Sequence, residues 1–216
     1  MHQESNKQTT RRYVHVVAFV VFGMCLGALL MLEAYPYLEV RRALLSGESV
    51  MDASSGTPYT LNRAIPINLR IPTISVDTTF SEPLGLNDDQ TISVPKSYEE
   101  VGWYKLGASP GEMGTAAILG HVDSYQGPAV FFSLGQLAPG DSIFVTRADG
   151  TEAEFEVEYF ERYKQDEFPT ERVYTPTSYA SLRLITCSGI FSKGEQRYTH
   201  NLVVYARLKE PADTSW

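Results

Sequence analysis

The longest apolar run in the chain extends from Val14 to Leu32, with the sequence VHVVAFVVFGMCLGALLML and His15 as its only polar side chain. A helix needs about 20 apolar residues to cross the hydrocarbon core of a bilayer, so this run is just long enough. The alternative is a cleaved signal peptide, whose apolar region is about 7–15 residues long and ends at a small-x-small cleavage site. Because the following sequence, EAYPYLEV, lacks such a site, the run predicts an uncleaved membrane anchor.

Positive charges flank this run on both sides. Lys7, Arg11 and Arg12 lie in the short tail before it, which favours a cytoplasmic N-terminus. Arg41 and Arg42 follow it and weaken the asymmetry, but the first charge after the run is acidic. We therefore expect a single-pass protein of the cell membrane, with most of the chain outside the cell.

The composition divides the chain around this anchor. Lys and Arg do not cluster outside the membrane flanks, and the net charge is −8, so a nucleic-acid partner is not expected. A Ser-, Gly- and Pro-containing stretch follows the anchor and predicts a linker. The expected parts are a cytoplasmic tail (1–13), the anchor (14–32), an extracellular stem (33–68), a folded catalytic domain (69–209) and a C-terminal tail (210–216).

The predicted domain consists mainly of short runs rich in Val, Ile and Thr, which are typical of β-strands. These runs are LRIPTISVDTTF, QTISVP, GTAAILGHV, SIFVTRADGTEAEFEVEYFERY, LRLITC and NLVVYARL. Asp149-Gly150 in the fourth run predicts a hairpin turn. Short helical segments are expected only near 97–100, 130–134 and 178–181. The close spacing of the strands favours a sandwich or a closed barrel.

The cysteine content singles out one thiol. Of the two cysteines, Cys25 lies in the anchor and Cys187 in the domain. A domain outside the cytoplasm with one cysteine cannot form its own disulfide, so this thiol is a candidate reactive group. The alternative is a small buried side chain, because free cysteine is often buried. Cys187 follows an apolar run and precedes Ser188-Gly189, where the strand pattern stops, and this position favours a reactive thiol.

A thiol becomes a strong nucleophile when an imidazole or a cation lies nearby. Of the four histidines, one lies in the N-terminal tail, one in the anchor, and His200 beside the last strand. His121 ends another apolar run, GTAAILGH, and is therefore the candidate partner of Cys187. Arg197 is the only arginine between Cys187 and the final strand. It is a candidate for stabilising a charged tetrahedral intermediate, although an ordinary solvated arginine is the alternative.

Three short segments together resemble the sortases, cysteine transpeptidases of the Gram-positive cell surface. They are Cys187 in LITC, His121 in LGHVDS, and Arg197 before LVVYA. Further similarities are RIPTISVD, VGWY and GPAVFFSLGQLAPGD. The last of these, together with GHVDS, is most similar to class F sortases, with class E next. The resemblance covers about residues 69–209 and includes the N-terminal anchor.

The resemblance implies a mainly β fold, a closed eight-stranded β-barrel whose groove binds an LPxTG-like sorting signal. Cys187 would attack the Thr–Gly carbonyl to form a thioester, which an amine of a cell-wall precursor or a pilin would resolve. His121 would act as the acid and base. Arg197 would stabilise the oxyanion or hold the substrate, and Thr186 would contact one of them. The expected partners are surface proteins bearing the signal, and no cofactor or metal is expected.

Two positions depart from the family pattern. Arg183 replaces the leading Thr of the T-L-x-T-C signature, and Asn201 occupies the place where several sortases have arginine before the final strand. Arg197 lies four residues earlier.

Three other classes of protein are alternatives. An L,D-transpeptidase would carry a histidine just before the cysteine, where this chain has Ile185-Thr186. A thiol–disulfide enzyme would carry a second cysteine in a C-x-x-C pair. A membrane-tethered extracellular β-domain that only binds a partner, with an incidental cysteine, is the non-enzymatic alternative.

Overall fold

The computed structural model describes residues 58–211. The predicted anchor Val14–Leu32 and its cytoplasmic tail lie outside these residues. Within 58–211, no helix has both the length and the apolar character needed to cross a membrane. The described strands are β1 (Pro66–Ile71), β2 (Val76–Thr79), β3 (Gly102–Trp103), β4 (Gly114–Leu119), β5 (Asp123–Ser124), β6 (Gly127–Pro128), β7 (Ser142–Arg147), β8 (Glu152–Lys164), β9 (Ala180–Ser192) and β10 (Arg197–Leu208).

Helical structure in the described part is short. There are 3-10 helices at Pro72–Ile74, Leu134–Gln136 and Gln165–Glu167, and one α-helix, α1, at Thr170–Tyr174. The domain is therefore mainly β, as the sequence predicts.

Eight strands form one sheet in the order β2-β1-β7-β8-β10-β9-β4-β3, and β5 and β6 form a separate hairpin. Neighbours in the large sheet are antiparallel except β4 and β9, which are parallel. Parallel neighbours run in the same direction, so residues that follow a paired position stay side by side. The last pair of the β4–β9 ladder is Leu119 with Ile185, and the candidate histidine and cysteine each lie two residues further on.

The sheet is curled, and its two edge strands approach each other beyond their ends. Only isolated bridges join the segments there, between Phe80 and Val101 and between Leu84 and Tyr104. A continuous ladder between β2 and β3 is absent from the described strands. The eight strands of the prediction are present, but the closed barrel is not shown.

Two apolar clusters pack on opposite faces of β9. Leu182 and Leu184 belong to the larger cluster in the concave interior, whereas Ile185 belongs to a smaller cluster with Val203 and Tyr205. Because side chains alternate along a strand, Cys187 shares the face of Ile185. The smaller cluster therefore forms the base on which the candidate site is built.

The strand predictions are confirmed where a single Val-, Ile- and Thr-rich run of the sequence forms a single strand or a single hairpin. Asp149-Gly150 forms the predicted turn between β7 and β8, and the carboxylate of Asp149 accepts hydrogen bonds from Thr151. The first run, LRIPTISVDTTF, instead contains two strands separated by a 3-10 helix. Pro72 begins that helix, and Ser75 ends it with a left-handed φ of 55°. These two residues turn the chain back on itself.

Some local predictions are wrong. QTISVP forms only a single bridge, between Ile92 and Leu86, because its backbone bonds to the preceding loop, with Ser93 donating to Gly85 and Asn87 donating to Thr91. No helix forms at 97–100 or 178–181, and the segment 130–134 contributes only Leu134 to a 3-10 helix. The α-helix lies instead at Thr170–Tyr174, where Pro169 precedes the first helical residue.

Candidate active site

A groove of about 630 Å³ lies where the parallel ladder of β4 and β9 ends. It brings together the four residues singled out from the sequence: Cys187, His121, Arg197 and Thr186. One wall is the segment 86–95, and the other is formed by the Gln165–Glu167 helix and α1. Tyr104, Leu119 and Ile185 contribute apolar surface between the walls.

Cys187 lies near the middle of β9, directly opposite Asn201 of β10. The residue is half-buried and its thiol is free. Burial raises the pKa of the Cys187 thiol, and the negative charge of Asp123 raises it further. The thiol is therefore protonated in the resting protein at neutral pH.

The parallel register of β4 and β9 places His121 next to Cys187. Leu119 pairs with Ile185, and the backbone N–H of Gly120 donates to the carbonyl of Ile185 over 3.1 Å. Two residues beyond this pair are His121, just after β4, and Cys187, within β9. The prediction that the strand pattern stops after Cys187 is wrong, because β9 continues to Ser192 and pairs with β10 there. The two residues are neighbours because of the parallel pairing.

The imidazole of His121 is held from two sides. Its Nε2 lies 2.7 Å from the carbonyl oxygen of Pro95, and its ring centroid lies 4.7 Å from that of Tyr98. Because a carbonyl can only accept a hydrogen bond, Nε2 carries a proton. Nδ1 is then the nitrogen that can take up a proton from a reacting group.

The backbone of the histidine segment is also anchored. The N–H of Phe131 donates to the carbonyl of His121 over 2.9 Å, and that of Ala129 donates to Val122 over 3.2 Å. A side chain at Gly120 would have its Cβ 2.6 Å from the ring of Phe131. Glycine is therefore required for the close approach of these two segments.

Arg197 borders the groove but does not face the thiol across the ladder. It pairs with Ser192, whereas Asn201 pairs with Cys187. Its exposed guanidinium makes ion pairs of 3.0 Å with Asp166 and 2.9 Å with Glu195. Hydrogen bonds to these carboxylates raise the pKa of Arg197. The structure therefore places Arg197 at the rim of the groove and Asn201 beside the thiol.

Thr186 borders the groove, but strand alternation directs its side chain toward the opposite face. It pairs with Leu202 of the larger apolar cluster and is 4% exposed. Its Oγ1 is buried and has no hydrogen-bond partner within residues 58–211. Contact between Thr186 and a ligand in the groove would therefore involve its backbone.

Four further residues contribute to the site and were not identified from the sequence. Pro95 and Tyr98 hold the imidazole, and Tyr198 donates a hydrogen bond to the carboxylate of Asp123 beside the thiol. The signal for Asp123 was present in GHVDS, two residues after the histidine. The other three come from segments that have no pattern linking them to His121.

This arrangement has the parts needed for acyl transfer. A thiol near the middle of β9 and an imidazole just beyond β4 border one groove, which is open and apolar enough to hold an extended chain. Thiol nucleophiles paired with histidine form covalent acyl intermediates. The fold and the site therefore define a cysteine acyl-transfer enzyme.

Comparisons with known proteins agree with this class. The family model for the sortase domain matches residues 69–209. The chain belongs to the sortase family, the cysteine transpeptidases. No curated protein sequence matches it significantly.

Solved structures share the fold at low sequence identity. A lid mutant of sortase A from Corynebacterium diphtheriae is 20% identical, with a TM-score of 0.52 over 72% of this chain and 75% of that one. Sortase C-1 from Actinomyces oris is also 20% identical, with a TM-score of 0.52 over 70% and 75%. Sortase C1 from Streptococcus suis is 16% identical, with a TM-score of 0.51 over 71% and 78%. These likenesses support the fold alone.

Proposed function

We propose that this sortase cleaves an LPxTG-like sorting signal through a thioester on Cys187 and transfers the cleaved protein to an amine. The observation that carries this proposal is the parallel pairing of β4 with β9, which brings His121 beside Cys187 at an open groove. The family supplies the reaction class, and the groove is suited to an extended peptide.

The groove walls fit the apolar part of such a signal. Ile92 and Val94 line one wall, and Phe168 and Tyr174 line the other. Leucine and proline side chains of a peptide would be removed from water between them, which favours binding. The scissile carbonyl would then lie at the polar end, where Cys187 is located.

The chemistry proceeds by two acyl transfers. As the sulfur of Cys187 attacks the threonine carbonyl carbon, His121 takes the thiol proton and then gives it to the departing amine nitrogen. An incoming amine attacks the thioester and gives its proton to His121. The sulfur leaves and regains that proton, so the enzyme returns to its starting state.

The oxyanion formed in each transfer needs a donor. The amide of Asn201 is assigned this role because Asn201 faces Cys187 across the β9–β10 ladder. Arg197 at the rim holds the peptide backbone, and Thr186 contributes its main chain.

The finer assignment is to class F, supported by LGHVDS and GPAVFFSLGQLAPGD. Val14–Leu32 anchors the protein in the cell membrane with the N-terminus in the cytoplasm and the catalytic domain outside. The acceptor is an amine of a cell-wall precursor or of a pilin, and the substrates are surface proteins with C-terminal signals.

The proposal is tested with the full-length protein in detergent, a set of LPxTG-like peptides and a small amine, followed by mass spectrometry. We expect cleavage after threonine and a product that carries the amine in place of the glycine segment. Cleavage at another bond, or no cleavage of any peptide in the set, would contradict the proposal.

A further inference from the structure

A hydrogen bond joins two segments that lie on opposite sides of β9. The phenol of Tyr198, on β10, donates to Oδ2 of Asp123, in β5 just after the end of β4. In the sheet, β9 lies between β10 and β4, so β4 and β10 are two strand spacings, roughly 10 Å, apart. The bond therefore crosses the strand that carries Cys187. We call Asp123 and Tyr198 the clasp.

The clasp completes the attachment of the histidine segment. Asp123 follows His121 by two residues, and the segment is bonded on one side to Ala129 and Phe131. The clasp attaches its other side to β10, the strand that aligns Asn201 with the thiol. Movement of His121 away from Cys187 would therefore require this bond to break.

The clasp also fixes a charge beside the thiol. The carboxylate of Asp123 is close enough to Cys187 to add to the effect of burial in raising the thiol pKa. The hydrogen bond to Asp123 raises the pKa of Tyr198 to about 12. The phenol therefore remains a hydrogen-bond donor throughout the neutral pH range.

Other ionisable groups near Cys187 are Tyr198 of the clasp and those that border the groove. The latter, within residues 58–211, are Tyr104, His121, Tyr174 and Arg197, and none is a carboxylate. Arg197 is already paired with Asp166 and Glu195. Asp123 lies outside the groove lining, and its negative charge adds to burial in raising the pKa of the thiol.

We propose that the clasp is a positioning device that holds His121 and the charge of Asp123 beside Cys187. Asp123 and Tyr198 act through their neighbours and do not touch the reacting atoms. This inference rests on the proposed function for its activity measurements only.

The charge is tested by alkylation of Cys187 with iodoacetamide across pH, using the full-length protein. Asp123→Asn keeps the shape of the side chain and removes its charge. We therefore expect the midpoint of the alkylation rate, plotted against pH, to move to lower pH. Asp149→Asn is the matched control, because Asp149 also accepts hydrogen bonds but lies in the β7–β8 turn. An unchanged midpoint in Asp123→Asn would overturn the proposal.

The positioning is tested by Tyr198→Phe, which removes the hydroxyl and keeps the ring against Phe191, 5.3 Å away between centroids. We expect kcat for peptide cleavage to fall roughly 10- to 100-fold, since small misplacements of catalytic groups have effects of this size. KM should change little. The double variant of Tyr198→Phe and Asp123→Ala should lose less kcat than the product of the two single losses, because both substitutions remove the same hydrogen bond.

Two results would separate positioning from simple stabilisation. If Tyr198→Phe lowers only Tm and leaves the kcat of the folded enzyme unchanged, the clasp is merely structural and the proposal fails. If the wild type cleaves no sorting peptide, the proposed function fails, but the alkylation midpoints still decide whether the clasp acts on the thiol.

Discussion

Asn201 lies directly opposite Cys187 across the ladder that joins β9 and β10. Directly opposed residues on antiparallel strands have their Cβ atoms about 4.5–5.5 Å apart on one face of the sheet. Arg197 lies four residues away along β10 and is paired with two carboxylates. The side chain directly opposite the thiol, where an oxyanion formed by attack of that thiol would be met, is therefore an amide and not the nearest arginine.

This relationship predicts different kinetic effects for the two residues. In Asn201→Ala, kcat should fall by roughly 10²–10³-fold, the loss that is typical when one oxyanion donor is removed. In Arg197→Ala, KM should rise with a smaller change in kcat, because Arg197 lies at the rim of the groove and not opposite Cys187. Steady-state cleavage of one peptide measures both. A large loss of kcat in Arg197→Ala, with Asn201→Ala unaffected, would assign the oxyanion to Arg197.

The hydrogen bond between His121 and Pro95 allows the position of the imidazole to be tested separately from its proton transfer. His121→Ala should lose roughly 10²–10⁴-fold in turnover, the usual value of general acid–base catalysis. His121→Gln can still donate to the carbonyl of Pro95 but cannot transfer a proton, so it should be equally slow. His200→Ala should stay within a few-fold of wild type, because His200 pairs with Ser188 and bonds to Thr199. The opposite outcome for the two histidines would assign catalysis to His200.

The environment of Cys187 predicts a thiol that reacts slowly at neutral pH. Burial and the charge of Asp123 raise the thiol pKa, so less thiolate is present at any given pH. The alkylation midpoint should therefore lie above the value of about 8.5 for an ordinary cysteine. A midpoint below that of a model thiol would mean that a cation or hydrogen bonds outweigh burial at Cys187.

The same shift makes the thiol contribute to stability in a pH-dependent way. The folded protein holds the Cys187 proton more tightly than the unfolded chain, so this contribution is complete below the unfolded pKa and is lost as pH rises through the folded one. Urea unfolding from pH 8 upward should show a steeper decline for wild type than for Cys187→Ala. Equal slopes would show that the thiol pKa is not raised by folding.

Gly120 allows the histidine segment to approach Val130 and Phe131. A Cβ there would lie 2.6 Å from the Phe131 ring and 2.9 Å from Val130. We expect Gly120→Ala to lower the free energy of unfolding by about 1–3 kcal/mol, as overpacking usually does, and to slow cleavage by displacing His121. Gly194 has no atom within 4 Å of such a Cβ, so Gly194→Ala is the control and should match wild type in both measurements.

The membrane topology is tested separately. If Val14–Leu32 is an uncleaved anchor, protease added to intact cells should digest the domain, and the purified protein should retain its N-terminal residues. Recovery of a secreted form that begins near Ala34 would instead identify a cleaved signal peptide.

The sequence was sufficient to predict the strand content and the two catalytic candidates because both depend on local pattern. The apolar part of β4 ends near His121 and that of β9 ends near Cys187, and such apolar runs are visible in the sequence. The parallel pairing of β4 with β9, which makes the two residues neighbours, depends on the path of the whole sheet. No local pattern specifies that pairing.

The surroundings of the other site residues also depend on the path of the sheet. Arg197 shares a strand face with Asn201, but its distance from the thiol depends on the register of β10 against β9. Thr186 is adjacent to Cys187 in sequence, yet alternation directs its side chain into the interior. Tyr198 and Asp123 are 75 residues apart in sequence, and the fold brings their side chains into hydrogen-bond contact.

The central claim is that Cys187 forms a thioester with the sorting signal, and intact-mass spectrometry of the quenched reaction tests it most directly. Wild-type full-length protein should gain the mass of the peptide up to its threonine and lose that mass when hydroxylamine is added. Cys187→Ala should show neither the adduct nor any amine-linked product. Persistent formation of the amine-linked product by Cys187→Ala, or an adduct on any other residue, would contradict the account.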